Sequence, residues 1–411
     1  MELPPSIRML QLPLLYCTNI LALSFKPSFL RTAISLPIYI LLVLQSLYQK
    51  DHVYYGIQYP MAALSLSLTF HYIDWILLAN PDKERWHRIP VSNNKRSNER
   101  KVIENSIGIT KIRPKNENIA TVPTNFSTRL WWAFRLSMTN RYVGWSNQVK
   151  NVPVEFEADY PRWLFLLRKI PRVILMHVIV DTIQSYTTST PHGAFRGFEN
   201  GKVPVGFDDV SLVRQFLLTW GNLINTYANL EMANTVCGIV AVVIGLAAPS
   251  DCPSAFGDLK GLYTVRQTWS VVWHQNCRRI CTAPSLFIVR DVLGLRKGSF
   301  ASKYAQLFLG FFISAIVHGA AAMLCHRSFD DDDAAFAVFM AQAVAIFIED
   351  HVIEFGKRIG LRDSFTWRSV GYLWVVAWFG LSVIPYTSRG VSHGIWIHNK
   401  THDYFGVGAR T

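Results

Sequence analysis

The sequence predicts an all-α protein, a polytopic integral membrane helical bundle of about eight to nine transmembrane helices. Three observations predict it. Half of the residues are apolar and only 17% are charged, whereas soluble domains carry roughly 25%. Apolar runs of about 17–25 residues recur, each long enough to cross a hydrocarbon core of about 30 Å. The net charge of +13 is spread between those runs, as expected of basic cytosolic loops. It forms no basic stripe along a polar domain, which argues against a nucleic-acid partner.

Residues 10–25, 33–48 and 54–79 are the first three expected spans. The third closes on His71, Tyr72, Asp74 and Trp75, an aromatic and acidic cluster suited to a membrane interface. The first eight residues run straight into the first span without a small-residue cleavage site, so no cleavable signal is expected. Residues 82–150 carry fourteen basic against five acidic side chains, which predicts a cytosolic segment. Its Asn-, Lys- and Ser-rich middle, 91–121, is expected to be mobile. Its end, 129–135, reads as an amphipathic interfacial helix, a surface anchor rather than a substrate contact.

The fourth span is 163–187. It places His177 and Asp181 four apart on one helical face, a pair expected to make a structural inter-helix contact. Residues 189–210 carry Glu199, Asp208 and Asp209 against Arg196 and Lys202, a candidate lumenal loop. Residues 211–247 are apolar throughout, long for one helix and short for two. Charge alternation requires an odd number of crossings there, so one crossing plus a re-entrant or interfacial piece is expected. Residues 304–325, 334–355 and 367–385 complete eight full spans. Lys357, Arg358 and Arg362 mark another cytosolic turn. The run Asp330-Asp331-Asp332-Asp333 reads as a solvated lumenal turn that favours the next helix start. This divides the chain into amino-terminal transmembrane helices (1–81), a basic cytosolic loop with an interfacial helix (82–160), and a core (161–411).

Two stretches carry chemistry. Read as a helix, 266–279 places Trp269, Val272, Trp273 and Asn276 on one face. Arg266, Ser270, His274 and Arg278 lie on the adjacent one, the division a surface helix needs. Then His318 stands alone as a titratable group in the apolar run 304–325. It is fifteen residues past Lys303, ~22 Å along a helix at ~1.5 Å per residue. An ionisable residue at such depth is a functional-site candidate. A buried neutral histidine can take the proton of an alcohol as that alcohol attacks an activated acyl group. Arg266, Arg278, Arg279, Arg290, Arg296 and Lys297 could meet the phosphates of a cytosolic donor. Periodicity and charge alone leave an enzyme and a transporter or channel both open. The six cysteines form no CxxC pair and read as small packing residues. No metal-ligand set of the usual count stands out, so no metal is expected.

An ordered series of motifs resembles the membrane-bound O-acyltransferase superfamily, in its fungal wax-synthase-like branch. The series is Gly245-Leu246-Ala247-Ala248-Pro249, Pro253-Ser254-Ala255-Phe256-Gly257, Tyr263-Thr264-Val265-Arg266, the box Trp269–Gln275, and Ser314 through His318. Residues 129–134, Gly144-Trp145 and Glu349-Asp350 also resemble that branch. The resemblance implies that His318 is the catalytic histidine and that His274 fills the second polar position, often Asn in the superfamily. It implies substrate contacts at Trp269, Trp273, Arg266, Arg278 and Arg279, with acetyl-CoA or another acyl-CoA as co-substrate and no bound cofactor. The partners implied are a lipophilic alcohol and the lipid bilayer, in a multi-pass protein of the endoplasmic reticulum. The oligomeric state is open. The chain departs from the branch at Thr268, at Ser270-Val271-Val272 where Gly-Arg-Arg is common, and at Cys252 where Trp is common. The branch includes O-acetyltransferases of terpenoid and meroterpenoid biosynthesis as well as wax-ester enzymes. The expected reaction is acetyl transfer to a terpenoid-like hydroxyl; long-chain alcohol acylation is the alternative. Glu349 and Asp350 are expected to pair with Lys357 or Arg358 at a helix end.

Overall fold

A computed structural model describes residues 10–44, 55–89, 122–139, 141–195 and 204–398. The middle of the basic loop and the sequon at Asn399 lie outside these residues. The described chain is helical almost throughout. Its one sheet is a two-residue parallel pair, β1 (Ala194–Phe195) with β2 (Ile397–His398). In order, the helices are α1 (Gln11–Ser24), α2 (Phe29–Leu44), α3 (Tyr55–Tyr72), α4 (Phe126–Ser137), α5 (Arg162–Thr188), α6 (Leu212–Val243), α7 (Arg278–Phe287), α8 (Phe300–His326), α9 (Ala335–Arg358), α10 (Phe365–Ser382) and α11 (Ile384–Ser392).

Within the described residues, each expected span is largely helical. Three stretches are long and apolar enough to cross a membrane by length and composition: α8, α9, and α10 continued through α11. Residues 211–247 depart from expectation. No re-entrant piece is present; α6 is one unbroken helix of 32 residues, about 48 Å long. Nothing breaks it internally, because its residues lack proline and its one early glycine, Gly221, is tolerated within a helix.

The amino-terminal helices share a core in which Trp75, Trp86, Trp132, Tyr142 and Trp145 pack with Leu15, Leu23 and Leu136. α4 forms where the interfacial helix is expected, but it is more than an anchor. Arg129 is buried, donating from Nε to the Leu23 carbonyl at 2.9 Å and from Nη2 to Asp82 at 2.7 Å. Trp132 donates to the Trp86 carbonyl at 2.9 Å. A guanidinium buried this way must be paired, so the basic loop is tied into the bundle at both ends. The second core gathers Val265, Val338, Ile346, Val375 and Phe379, where the box meets α9 and α10. His177 and Asp181 both lie on α5 and both are engaged within the protein. The cysteines are all free thiols, and Cys17 and Cys237 are exposed rather than packed inside.

Candidate active site

The box is not one helix. Val265–Gln267 begins helically, Thr268–Val272 widens into a π-helical turn, and Trp273 is extended at φ −65°, ψ 149°. The chain re-enters helix only at Arg278. Side chains impose this break. Gln275 Nε2 donates to the Trp269 and Trp273 carbonyls at 3.1 and 2.5 Å, and Arg278 donates to the Ser270 carbonyl at 2.7 Å. These carbonyls would otherwise serve helical amides further along. Asn151 donates to Ser270 O as well, at 2.9 Å. Gly257 N donates to Val272 O at 2.9 Å. A Cβ on Gly257 would stand 2.3 Å from Val271 O, so only glycine permits that approach. Val272 is buried against this loop.

Two carboxylates of α9 hold the start of the box. Glu349 accepts from the backbone N–H of Val265 and Arg266 at 2.7 and 2.9 Å, and from Trp374 at 3.0 Å. Asp350 receives Arg266 through two bonds of 2.7 Å, with Lys303 at 2.6 Å and Tyr304 at 3.0 Å. The expected pairing with Lys357 or Arg358 does not occur: seven residues along a helix is ~10 Å, and Arg358 meets Glu354 instead. This cluster ties the box to α8 and α9, with the exposed Lys303 and Arg266 bonds weakened by solvent screening.

Three of the six basic residues expected to meet a donor, Arg266, Arg278 and Arg279, are engaged inside the protein. Arg266 is held by Asp350, and Arg278 donates to Ser270 O and to Gln275 Oε1. Arg279 makes two 2.8 Å bonds to the fully buried Asp74 and lies 4.6 Å over the Trp86 ring. Burial alone would lower the Arg279 pKa, but the Asp74 carboxylate outweighs it and the net shift is upward. The aromatic–acidic cluster at the end of α3 is thus the socket for α7.

The break at Trp273 carries His274 into the interior. Its ring packs edge-on to Phe256 at 5.7 Å and against Trp273 at 5.6 Å. Its Nδ1 is buried without a hydrogen-bond partner. Burial first, then the fields of His318 and Arg141, push its pKa down to about 4. His274 is therefore neutral at physiological pH, with an unmet ring nitrogen.

His318 sits on α8, eight residues before its last, and stacks on Phe339 at 4.6 Å and 13°. Its Nδ1 is 2.8 Å from the Tyr59 hydroxyl, which is 2.5 Å from the Tyr386 hydroxyl. Trp269 joins the two histidines: its ring lies 5.9 Å from Trp273 and 6.1 Å from the same Phe339. Its Nε1 points at Gln342 Oε1, 3.4 Å away. A continuous row of ring contacts, Trp273, Trp269 and Phe339, thus links His274 to His318 in one aromatic-walled centre. Tyr59 and Tyr386 belong to it and were missed in the sequence. The available signal was Tyr55 and Tyr59, two phenols one turn apart in an apolar span.

Outside that centre, a groove of ≈480 Å³ runs along α9 and α10, lined by Ala337, Val338, Ala341, Trp378, Leu381 and Ser382 among others. Trp378 and Ser382 both bond Gln342. The acidic run after α8 is not a uniformly solvated turn. Asp332 accepts from Ala334 N and Phe336 N at the start of α9, as expected, but Asp333 is buried. His326, Asp331, Asp333 and His393 bring four donor atoms within 4.8 Å of one another. The sequence did not suggest this metal-competent set, because its members are 67 positions apart at the extremes.

A largely helical bundle, with three stretches long and apolar enough to cross a membrane and buried histidines inside it, has the make-up of a membrane enzyme. The chain belongs to the membrane bound O-acyl transferase family, whose profile matches residues 252–341, the span that contains the box, His274 and His318. Acetyltransferase sirH of Leptosphaeria maculans is 41% identical over 98% of this chain and 96% of its own length. Acetyltransferase ple2 of Rhodocybe pseudopiperita is 29% identical over 61% of this chain and 64% of its own. Acetyltransferase TRI7 of Fusarium sporotrichioides is 30% identical over 61% and 60%. No solved structure matches. The chain is thus a membrane O-acyltransferase of the fungal acetyltransferase type, using an acyl-CoA donor.

Proposed function

We propose that the enzyme moves an acetyl group from acetyl-CoA to the hydroxyl of a bulky, terpenoid-like alcohol, with His318 as general base. The contact that carries this is His318 Nδ1 to Tyr59. With Nδ1 so occupied, Nε2 is the nitrogen left for the acceptor. Nε2 takes the hydroxyl proton as the acceptor oxygen attacks the thioester carbonyl. The C–S bond then breaks, and the imidazolium returns its proton to the departing CoA thiolate. His274 orients the carbonyl or supports the developing oxyanion, a role suited to a neutral ring with an unmet nitrogen. Trp269 and Trp273 wall the site against water, which limits hydrolysis of the donor.

The donor enters from the cytosol and the acceptor from the lipid or lumenal side. The groove beside Gln342 is of the size that takes small lipophilic molecules. Arg290, Arg296 and Lys297, rather than Arg266 or Arg279, are the cations best placed to meet CoA phosphates, since the latter two are committed to carboxylates. The bundle crosses the endoplasmic reticulum membrane eight or nine times, with 82–160 as a cytosolic unit and 161–411 as the catalytic core. On that topology the sequon at Asn125 stays unmodified and the one at Asn399 is glycosylated.

A long acyl chain gains about 0.8 kcal/mol per buried CH₂, and a site for it needs a roomy apolar tunnel beside the thioester. Val272 is instead packed into the protein at the break. The test is a competition between acetyl-CoA and palmitoyl-CoA, with hexadecanol and a polycyclic terpenoid alcohol as acceptors. Preference for acetyl-CoA and the polycyclic alcohol is expected. Preference for palmitoyl-CoA and hexadecanol would make the enzyme a wax-ester synthase.

A further inference from the structure

We propose that His326, Asp331, Asp333 and His393 bind one divalent transition-metal ion of the zinc class, and that this ion staples the bundle beside the reaction centre. Three separate parts of the chain converge there. His326 closes α8, the two aspartates lie in the turn to α9, and His393 follows α11. His326 Nε2 and His393 Nδ1 approach the same Asp333 oxygen, at 3.1 and 2.8 Å, and His393 Nε2 is 3.4 Å from Asp331 Oδ2. With one donor atom from each residue, and so a single nitrogen of His393, the four atoms lie within 4.8 Å of one another; ligands about 2.0–2.2 Å from a tetrahedral ion stand roughly 3.3–3.6 Å apart, so closing on one ion draws the outermost pair in by about 1.5 Å at most.

The donor chemistry selects the ion. Two imidazoles and two carboxylates suit zinc and its first-row neighbours; calcium and magnesium take oxygen. Two carboxylates neutralise a dication, which removes much of the penalty for charge in a partly buried site. The two imidazole rings are 3.9 Å apart between centroids. The surrounding groups are those that orient metal ligands. Tyr55 donates its hydroxyl to the second Asp333 oxygen and stacks on His326 at 5.0 Å and 10°.

The ion takes no part in bond making. His326 is two turns, ~12 Å, beyond His318 on α8. The connection is mechanical. The ion fixes Asp333, Asp333 fixes Tyr55 at the first turn of α3, and Tyr59 one turn later holds His318. A cavity of ≈10 Å³ lined by Tyr55, Tyr59, Asp333 and Tyr386 lies between the two centres.

The test is a Co²⁺ titration of the full chain, purified without a polyhistidine tag, stripped with chelator and checked for monodispersity. Visible d–d absorption should saturate at one equivalent per chain and be displaced by Zn²⁺. His326→Gln and His393→Gln should weaken binding at least 100-fold, and Tyr55→Phe about 10–100-fold. Asp330→Asn, at an exposed residue outside the cluster, should bind as the parent protein does. If the monodisperse stripped protein binds neither ion, or if the histidine variants bind as tightly as the parent, there is no such site. The wild-type titration decides even where a variant does not fold.

Discussion

The Nδ1 of His318 and the hydroxyl of Tyr59 lie 2.8 Å apart although 259 positions separate them in the chain. α3 and α8 must be side by side for this contact, and it selects which ring nitrogen of His318 faces the substrate. Tyr59→Phe should therefore lower kcat about 10–100-fold, part of the ~10²–10⁴ that a general base contributes. The KM for acetyl-CoA should stay within about twofold. Steady-state kinetics of the purified variant check this. Unchanged kcat would mean that Tyr59 merely packs. Tyr386→Phe, one hydroxyl further away, should have the smaller effect.

Arg266 and Asp350 form a paired clamp rather than an open phosphate site. Arg266→Ala and Asp350→Asn should each reduce activity, and the double variant should be little worse than either. Coupled neighbours show interaction energies of about 0.5–3 kcal/mol. A double-mutant cycle on kcat/KM measures this. Strict additivity, with KM for acetyl-CoA raised only by the arginine change, would return Arg266 to direct donor binding.

Arg279, half-buried, pairs with the fully buried Asp74. Removing one partner of such a pair costs about 3–5 kcal/mol. Asp74→Asn should lower the Tm in detergent markedly and detach α7 from α3, whereas an exposed substitution such as Arg358→Gln should leave Tm within a degree or two. Equal thermal unfolding curves for Asp74→Asn and the parent would contradict the socket.

His274 is held neutral, its pKa pushed down from the ordinary 6.5 to about 4. The sign follows from linkage. Below about pH 6.5 the unfolded chain gains a proton at this residue that the folded chain refuses, so its contribution to stability is full above 6.5 and is lost as pH falls toward 4. The loss is on the order of 3 kcal/mol. Tm measured at pH 7.5 and pH 5 should converge more closely in His274→Asn than in the parent. His274→Asn should also keep more activity than His274→Ala, since an amide can still donate to the carbonyl. Parallel pH dependence in parent and variant would place the titration elsewhere.

The helices were legible because a membrane helix is written locally, as a continuous apolar run. His318 stands out as a candidate for the same reason, as a lone titratable group in such a run. The break at Trp273 was not legible. The period of Trp269, Val272 and Trp273 fits a helix well, and what overrides it is Gln275 and Arg278 folding back on three carbonyls, together with the Gly257 loop. The sequence reads Asp350 as a helix-end acid, yet its partner is Arg266, 84 positions earlier. Tyr59 and the His326–His393 cluster depend on which helices are neighbours, and one sequence does not contain that.

The central claim is that His318 takes the proton of the acceptor alcohol. The most direct measurement is single-turnover transfer of labelled acetyl from acetyl-CoA to a terpenoid alcohol by His318→Ala protein, matched to the parent for membrane insertion and monodispersity. A rate constant at least 10²-fold below the parent's, with donor binding retained, is the expected result. Product formation at the parent's rate would contradict it.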